Sequence, residues 1–177
     1  MKNGTLVFEG KRIYLRELKE EDASQEYRNW LNDPIANKYL ETRSASIKEL
    51  KEYIKEKKEN ENCIFLGIFI KNSDKHIGNV KLEPIDWNDK KATLGILIGD
   101  KNYWGKGICT TVVKLITKYA FEKMRLEKID LGVLSENRAA IICYLKSGFK
   151  IDNFSPKADK RENALYDTIT MSIKKND

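Results

Sequence analysis

Histidine, cysteine and long apolar runs are all scarce in this chain of 177 residues. No apolar run approaches the roughly 18 residues that cross a bilayer, and Met1 to Gly10 contains no hydrophobic stretch of signal-peptide length. Neither a membrane partner nor an export signal is therefore expected. The three cysteines, Cys63, Cys109 and Cys143, are odd in number and share no metal-ligand spacing, so no metal is expected. Cys109 and Cys143 fall on apolar helical stripes and are expected as small buried hydrophobes, which places the protein in a reducing cytoplasm. The one histidine, His76, follows a turn at the start of a strand and is expected to be exposed rather than catalytic. Internal repeats, low-complexity segments and linkers are also missing, so a single domain spanning residues 1–177 is expected.

The net charge of +6 raises the question of nucleic acid, and its distribution answers it. Lys and Arg are interleaved with Glu and Asp, as along Ile47 to Glu61, and no arginine stripe with stacking aromatics is present. Nucleic acid is not an expected partner. A modest positive field suits an anionic cofactor or substrate instead.

The stretch from Leu94 to Phe121 organises the rest. Leu94 to Ile98 is an apolar run of strand length. Cys109, Val112, Val113, Ile116 and Ala120 form the stripe of an amphipathic helix. Between them lies Tyr103-Trp104-Gly105-Lys106-Gly107. A helix N-terminus carries unpaired N–H groups and partial positive charge, glycines allow close approach of backbone to phosphate, and Lys106 adds a full charge. The segment suits a pyrophosphate, though two glycines can also mark a plain tight turn. It is neither of two familiar nucleotide motifs. Thr110 stands where a dinucleotide fingerprint needs its third glycine, and Asp100 where a P-loop needs its first.

Downstream, Lys128 to Leu134 is a second β-rich run. It is followed by Asn137, Ala140, Tyr144, Gly148 and Phe149, spaced as Asn-x-x-Ala-x-x-x-Tyr-x-x-x-Gly-Phe. Together with Gly105-x-Gly107, and with Asn32-Asp33-Pro34 leading to Lys38-Tyr39-Leu40, this resembles the GNAT family of N-acetyltransferases. The likeness is to its branch acting on ribosomal proteins, small amines and amino sugars. The resemblance implies an α+β fold: one mixed, mostly antiparallel sheet with a splayed parallel strand pair and flanking helices. It implies acetyl-CoA as cosubstrate, with coenzyme A held by Leu97, Ile98, Trp104, Gly105, Lys106, Gly107, Ile108, Cys109, Thr110 and Asn137. An amine attacks the thioester, a backbone N–H near Ile98 stabilises the developing oxyanion, and Tyr144 is placed to protonate the departing thiolate. Tyr144 also reads as a core aromatic, flanked by Ile141, Ile142 and Leu145, and Asn137 as a plain N-cap.

The chain departs from the family pattern at three points. Asn102 stands for Gln or Arg, Thr111 for Glu, and no carboxylate lies on the strand before the turn. Candidate bases are Glu83, Glu41 and Asp86, each of which also reads as a solvated surface charge. Arg43 suits a phosphate or carboxylate on the acceptor, so Glu41, Arg43 and Glu83 are the substrate-side residues expected. The acceptor is a small-molecule or peptide amine: an amino sugar, a protein N-terminus or a small amine. A non-catalytic acyl-CoA-binding module is the alternative. A homodimer is common in the family, and nothing in the chain demands one.

The remaining pattern predicts a strand over Lys11 to Leu18 and a helix from Glu20–Asp22 through Leu31. It also predicts a short second helix opened by Asp33-Pro34 and a helix capped by Ser46 and ended near Asn60. Three antiparallel strands follow, and a closing hairpin of Phe149–Phe154 with Ala164–Ile173 is spanned by a polar loop, Ser155 to Asn163.

Overall fold

Alternation along the strands places two apolar cores on opposite faces of one sheet. In a computed structural model describing residues 7–40, 44–161 and 164–176, the sheet has eight strands in the order β1-β2-β3-β4-β5-β6-β8-β7. These are β1 (Val7–Glu9), β2 (Ile13–Glu17), β3 (Ile64–Ile70), β4 (His76–Asp86), β5 (Lys91–Ile98), β6 (Lys128–Leu134), β7 (Lys150–Arg161) and β8 (Ala164–Lys174). The helices are α1 (Gln25–Asn32), α2 (Ile47–Glu59), α3 (Ile108–Glu122) and α4 (Arg138–Lys146).

On β3, Ile64, Leu66 and Ile68 join the larger core with Val112, Val113 and Ile116 of α3, while Phe65 and Phe69 join the second core with Tyr27, Trp30, Leu50 and Ile54 of α1 and α2. Burial on both faces explains why this strand reads as an uninterrupted apolar run. α2 begins as expected: Ser46 Oγ accepts from the Glu49 N–H, and the Glu49 carboxylate accepts from the Ser46 N–H.

Every neighbouring strand pair is antiparallel except β5 and β6, which pair in parallel for three residues only, from Lys91↔Lys128 to Thr93↔Asp130. Thr93 Oγ1 donates to Asp130 Oδ1 at 2.8 Å to close that short ladder. Beyond it β5 stays on β4 as far as Ile98, while β6 stays on β8 as far as Leu134, so the two diverge. The expected fold class and splay are both present.

Several expectations are corrected. Glu20–Asp22 is a separate helical turn, and Ser24 caps α1 through the Tyr27 N–H. Asp33-Pro34 opens turns rather than a helix: Asp33 Oδ1 accepts from Ile35 N–H, and Asn37 donates back to the Leu31 carbonyl. The three-residue strand β1 was not foreseen, being too short to show a period. Most of the polar loop expected from Ser155 is strand, with Asp159, Lys160 and Arg161 paired to Tyr166, Leu165 and Ala164 after a bulge. An edge strand wet on both faces shows no apolar alternation.

Candidate active site

The turn after β5 is built from conformations that only glycine adopts readily. Gly105 and Gly107 have φ of 70° and 74°, and a methyl group on either would meet nothing within 4 Å. Gly107 is the residue before α3 and offers no side-chain cap, and the first turn of α3 contains no acidic residue. The N–H groups of Ile108, Cys109 and Thr110 therefore have no side-chain cap at the positive end of a helix of 15 residues. Two bonds anchor the turn. Trp104 Nε1 donates to the Ile98 carbonyl at 2.7 Å, and Arg12 donates to the Lys106 carbonyl. Asp100, nearly buried, accepts from Asn102 N–H and pairs with Lys75.

Where β5 and β6 part, a cavity of about 700 Å³ opens. Thr93 to Leu97 form one wall and Gly132 to Leu134 the other, with Asn137 and Tyr144 from the α4 side. It continues across the sheet to Tyr27, Leu31, Leu50 and Tyr53 of α1 and α2, and to Asn79, Lys81 and Glu83 of β4. Gly132 leaves its wall bare, since a methyl group there meets no atom within 4 Å. From Leu94 onward β5 has no β6 partner. A slot beside an unpaired strand edge suits an amide-bearing arm, and the uncapped N-terminus of α3, which follows that strand in the chain, suits phosphates: the two chemistries of coenzyme A.

Tyr144 has both characters that the sequence left open. Its ring packs 5.9 Å from Phe149 and is 6% exposed, yet it lines the cavity. Burial pushes its phenol up to about 12, so it keeps its proton at neutral pH. Asn137 caps α4, with Oδ1 accepting from the Ala140 N–H, and lines the cavity as well. Leu97 lines the cavity too, whereas Ile98, Trp104, Gly105, Lys106 and Gly107 of the turn and Ile108, Cys109 and Thr110 of the first turn of α3 do not.

Glu83 lines the acceptor side, but its carboxylate is already engaged by Lys57 at 2.7 Å, Lys81 at 3.0 Å and Asn60 at 3.3 Å. Burial acts to raise its pKa, and the two lysines outweigh that and hold it below the ordinary glutamate value. Asp86 instead organises the β4–β5 turn, accepting from the Asn88 and Asp89 N–H groups, and does not line the cavity. Glu41 and Arg43 lie outside the described residues.

Two expectations near the site are overturned. Cys109 and Cys143 are not independent hydrophobes: they form a disulfide joining the first turn of α3 to α4, while Cys63 is buried and outside that bridge. With Cys109 and Cys143 bridged, the cysteines no longer point to a reducing compartment. The pairing depends on α3 lying beside α4, which no local pattern shows. His76 is not exposed either. Phe69 stacks on its ring at 4.9 Å, and Trp30 and Tyr27 meet it edge-on. Sequence reasoning also missed Asn79, Lys81, Tyr27 and Tyr53; alternation along β4 from Glu83 would have found the first two.

A family model for the acetyltransferase (GNAT) domain matches residues 12–150. The chain belongs to this family. Among GNAT relatives, the probable N-acetyltransferase YjcK of Bacillus subtilis (strain 168) is 30% identical over 177 aligned residues, covering 94% of this chain and 96% of its own. The spermidine N-acetyltransferase of Vibrio cholerae, solved with CoA and spermine, superposes with a TM-score of 0.85 at 24% identity, covering 94% of this chain and 98% of its own. The microcin C7 self-immunity acetyltransferase MccE, solved with acetyl-CoA and AMP, gives 0.81 at 22%, covering 93% of each chain. The reaction is acetyl transfer from acetyl-CoA to an amine, which makes this GNAT protein an acyltransferase. A non-catalytic binding module is not favoured.

Proposed function

We propose that the acceptor is a small primary amine whose tail is neutral or anionic, such as an amino sugar or an amino-acid derivative, rather than a polyamine. The observation that carries this reading is the occupancy of Glu83 and Glu49, the two glutamates among the described residues of the cavity lining. Glu83 is bridged by two lysines, and Glu49 is spent on capping Ser46. Lys81, half-buried at the wall, adds positive charge where a polycation would need the opposite. Spermine bound in the V. cholerae enzyme belongs to that protein.

In this reading the phosphates of coenzyme A rest on the N–H groups of Ile108, Cys109 and Thr110 with Lys106 alongside. The Leu97 and Ile98 backbone pairs with the arm, and Asn137 steadies the wall opposite. Bound acetyl-CoA supplies the activated acetyl group. Tyr144 Oη holds the proton that the departing sulfur receives, and the apolar walls around Leu94 and Leu134 exclude water from it. Glu83 serves as the counter-ion of Lys57 and Lys81, not as the base.

Free-thiol release from acetyl-CoA, measured with glucosamine, glycinamide, a peptide with a free N-terminus and spermidine, tests the acceptor class. Higher kcat/KM for the oxygen-bearing monoamines is expected. Spermidine as the best substrate would overturn the reading.

A further inference from the structure

Along β4, Asn79, Lys81 and Glu83 share a face, and all three line the acceptor side of the cavity. Asn79 is 5% exposed and stands opposite Leu97 in the β4–β5 ladder, one strand in from the free edge of β5. The orientation of its carboxamide is forced by His76. Nε2 of His76 lies 2.9 Å from the Gly78 carbonyl oxygen and 2.8 Å from Asn79 Oδ1. A carbonyl oxygen only accepts, so Nε2 must carry the hydrogen. That N–H faces an oxygen of Asn79 comfortably and an amide nitrogen not at all, so Oδ1 points to the histidine and Nδ2 away.

The ring cannot turn to offer anything else. Phe69 of β3 stacks on it, and Trp30 and Tyr27 of α1 close the cage. Its other nitrogen, Nδ1, is sealed without a partner, a state shared among the described side chains only by Thr117 Oγ1. Asn79 Nδ2 makes no hydrogen bond among the described residues and is not one of those sealed atoms. Asn79 itself lines the cavity, which is where a partner for Nδ2 would come from.

We propose that Asn79 is a specificity residue of the acceptor site, fixed by His76 as a donor only, which recognises a hydroxyl, carbonyl or carboxylate oxygen on the tail of the amine substrate. The proposal rests on the acceptor reading above and deepens it: the site requires an oxygen at this point, and a second ammonium there would face two N–H hydrogens. Asn79 touches substrate; His76 acts through Asn79 and is a positioning residue.

The test is the ratio of kcat/KM for glucosamine to that for spermidine, in the wild type and in Asn79→Asp. The variant keeps an oxygen for His76 and turns the cavity-facing group from donor to anionic acceptor. The ratio should fall about 10-fold or more, the scale of one hydrogen bond lost and one charge-assisted bond gained. His76→Phe keeps a ring in the cage but frees the carboxamide to turn, and should relax the ratio about 3-fold; His76→Gln, with an N–H of its own, should restore it. A ratio unmoved in Asn79→Asp overturns the proposal, and equal losses with both amines in His76→Phe reduce His76 to packing and overturn its positioning role. A wild type that prefers spermidine contradicts the acceptor reading alone, because the shift between variants is still measurable. Should neither amine turn over, the Asn79 side-chain amide resonance, assigned by its loss in Asn79→Ser, decides the matter. It should move on titration with glucosamine and not with spermidine, and a resonance unmoved by both overturns the proposal.

Discussion

Tyr144 combines a core position with a place in the cavity wall, and the proposed function gives its hydroxyl the role of acid. Its ring belongs to the main core, and removing only the oxygen leaves that packing in place. Tyr144→Phe should therefore lower kcat by about 10²–10⁴-fold, the usual scale of general acid catalysis, with little change in KM for acetyl-CoA. Unchanged kcat in steady-state assays would return Tyr144 to a purely structural role. The pH dependence has a definite sign. The folded phenol keeps its proton up to about 12, whereas the unfolded phenol ionises near the ordinary value of 10.0. The native state loses stability as pH rises through that interval, and the donor form persists throughout neutral pH. Melting temperatures taken from pH 9 to 12 should fall more steeply for the wild type than for Tyr144→Phe; parallel curves would contradict the assignment.

At the scale of elements, the link from β5 to α3 and the link between α3 and α4 make separate predictions. Gly107 sits at φ 74° with open space above it, so a branched side chain there is strained and projects over the N–H groups of α3. Gly107→Val should remain folded by circular dichroism and lose calorimetrically detectable coenzyme A binding. Retained affinity would mean that the glycines shape a turn and nothing more. The Cys109–Cys143 bridge closes a separation of 34 residues, for which loop-closure entropy gives about 3–4 kcal/mol. Thermal melts with and without a reductant should differ accordingly, and identical melts would show that the bridge does not constrain the fold.

Elements were legible in the sequence where one face is apolar and the other polar, or where a cap is local. The period of α3 and the Ser46 cap of α2 are cases of this kind. Illegible were β1, too short to show a period, and the far half of β7, wet on both faces. The site was half legible for the same reason. Gly105, Gly107, Asn137 and Tyr144 lie in spaced motifs, but the caging of His76 arises only when α1 folds over the β3–β4 hairpin. The engagement of Glu83 likewise requires Lys57 from α2, 26 residues away.

At the scale of the whole molecule, the sheet is two plates, β1 to β5 and β6-β8-β7, whose ladder among the described residues is three residue pairs long, flanked by the Thr93–Asp130 hydrogen bond and the Lys90–Glu127 ion pair. The cavity is the consequence of that short joint. It runs from the divergent ends of β5 and β6, with Asn137 and Tyr144, to Tyr27, Leu31, Leu50 and Tyr53 of α1 and α2, and in the proposed reading cofactor and acceptor meet within it. A net charge of +6 favours the approach of a polyanionic cofactor to such a slot. The most direct measurement is a titration of the isotope-labelled protein with coenzyme A, followed by backbone amide resonances. The largest shifts should fall on Leu97 and Ile98, on Gly105 through Thr110, and on Gly132 through Leu134. Shifts confined to α2 or to the β7–β8 hairpin, with those three segments unmoved, would contradict that placement of coenzyme A.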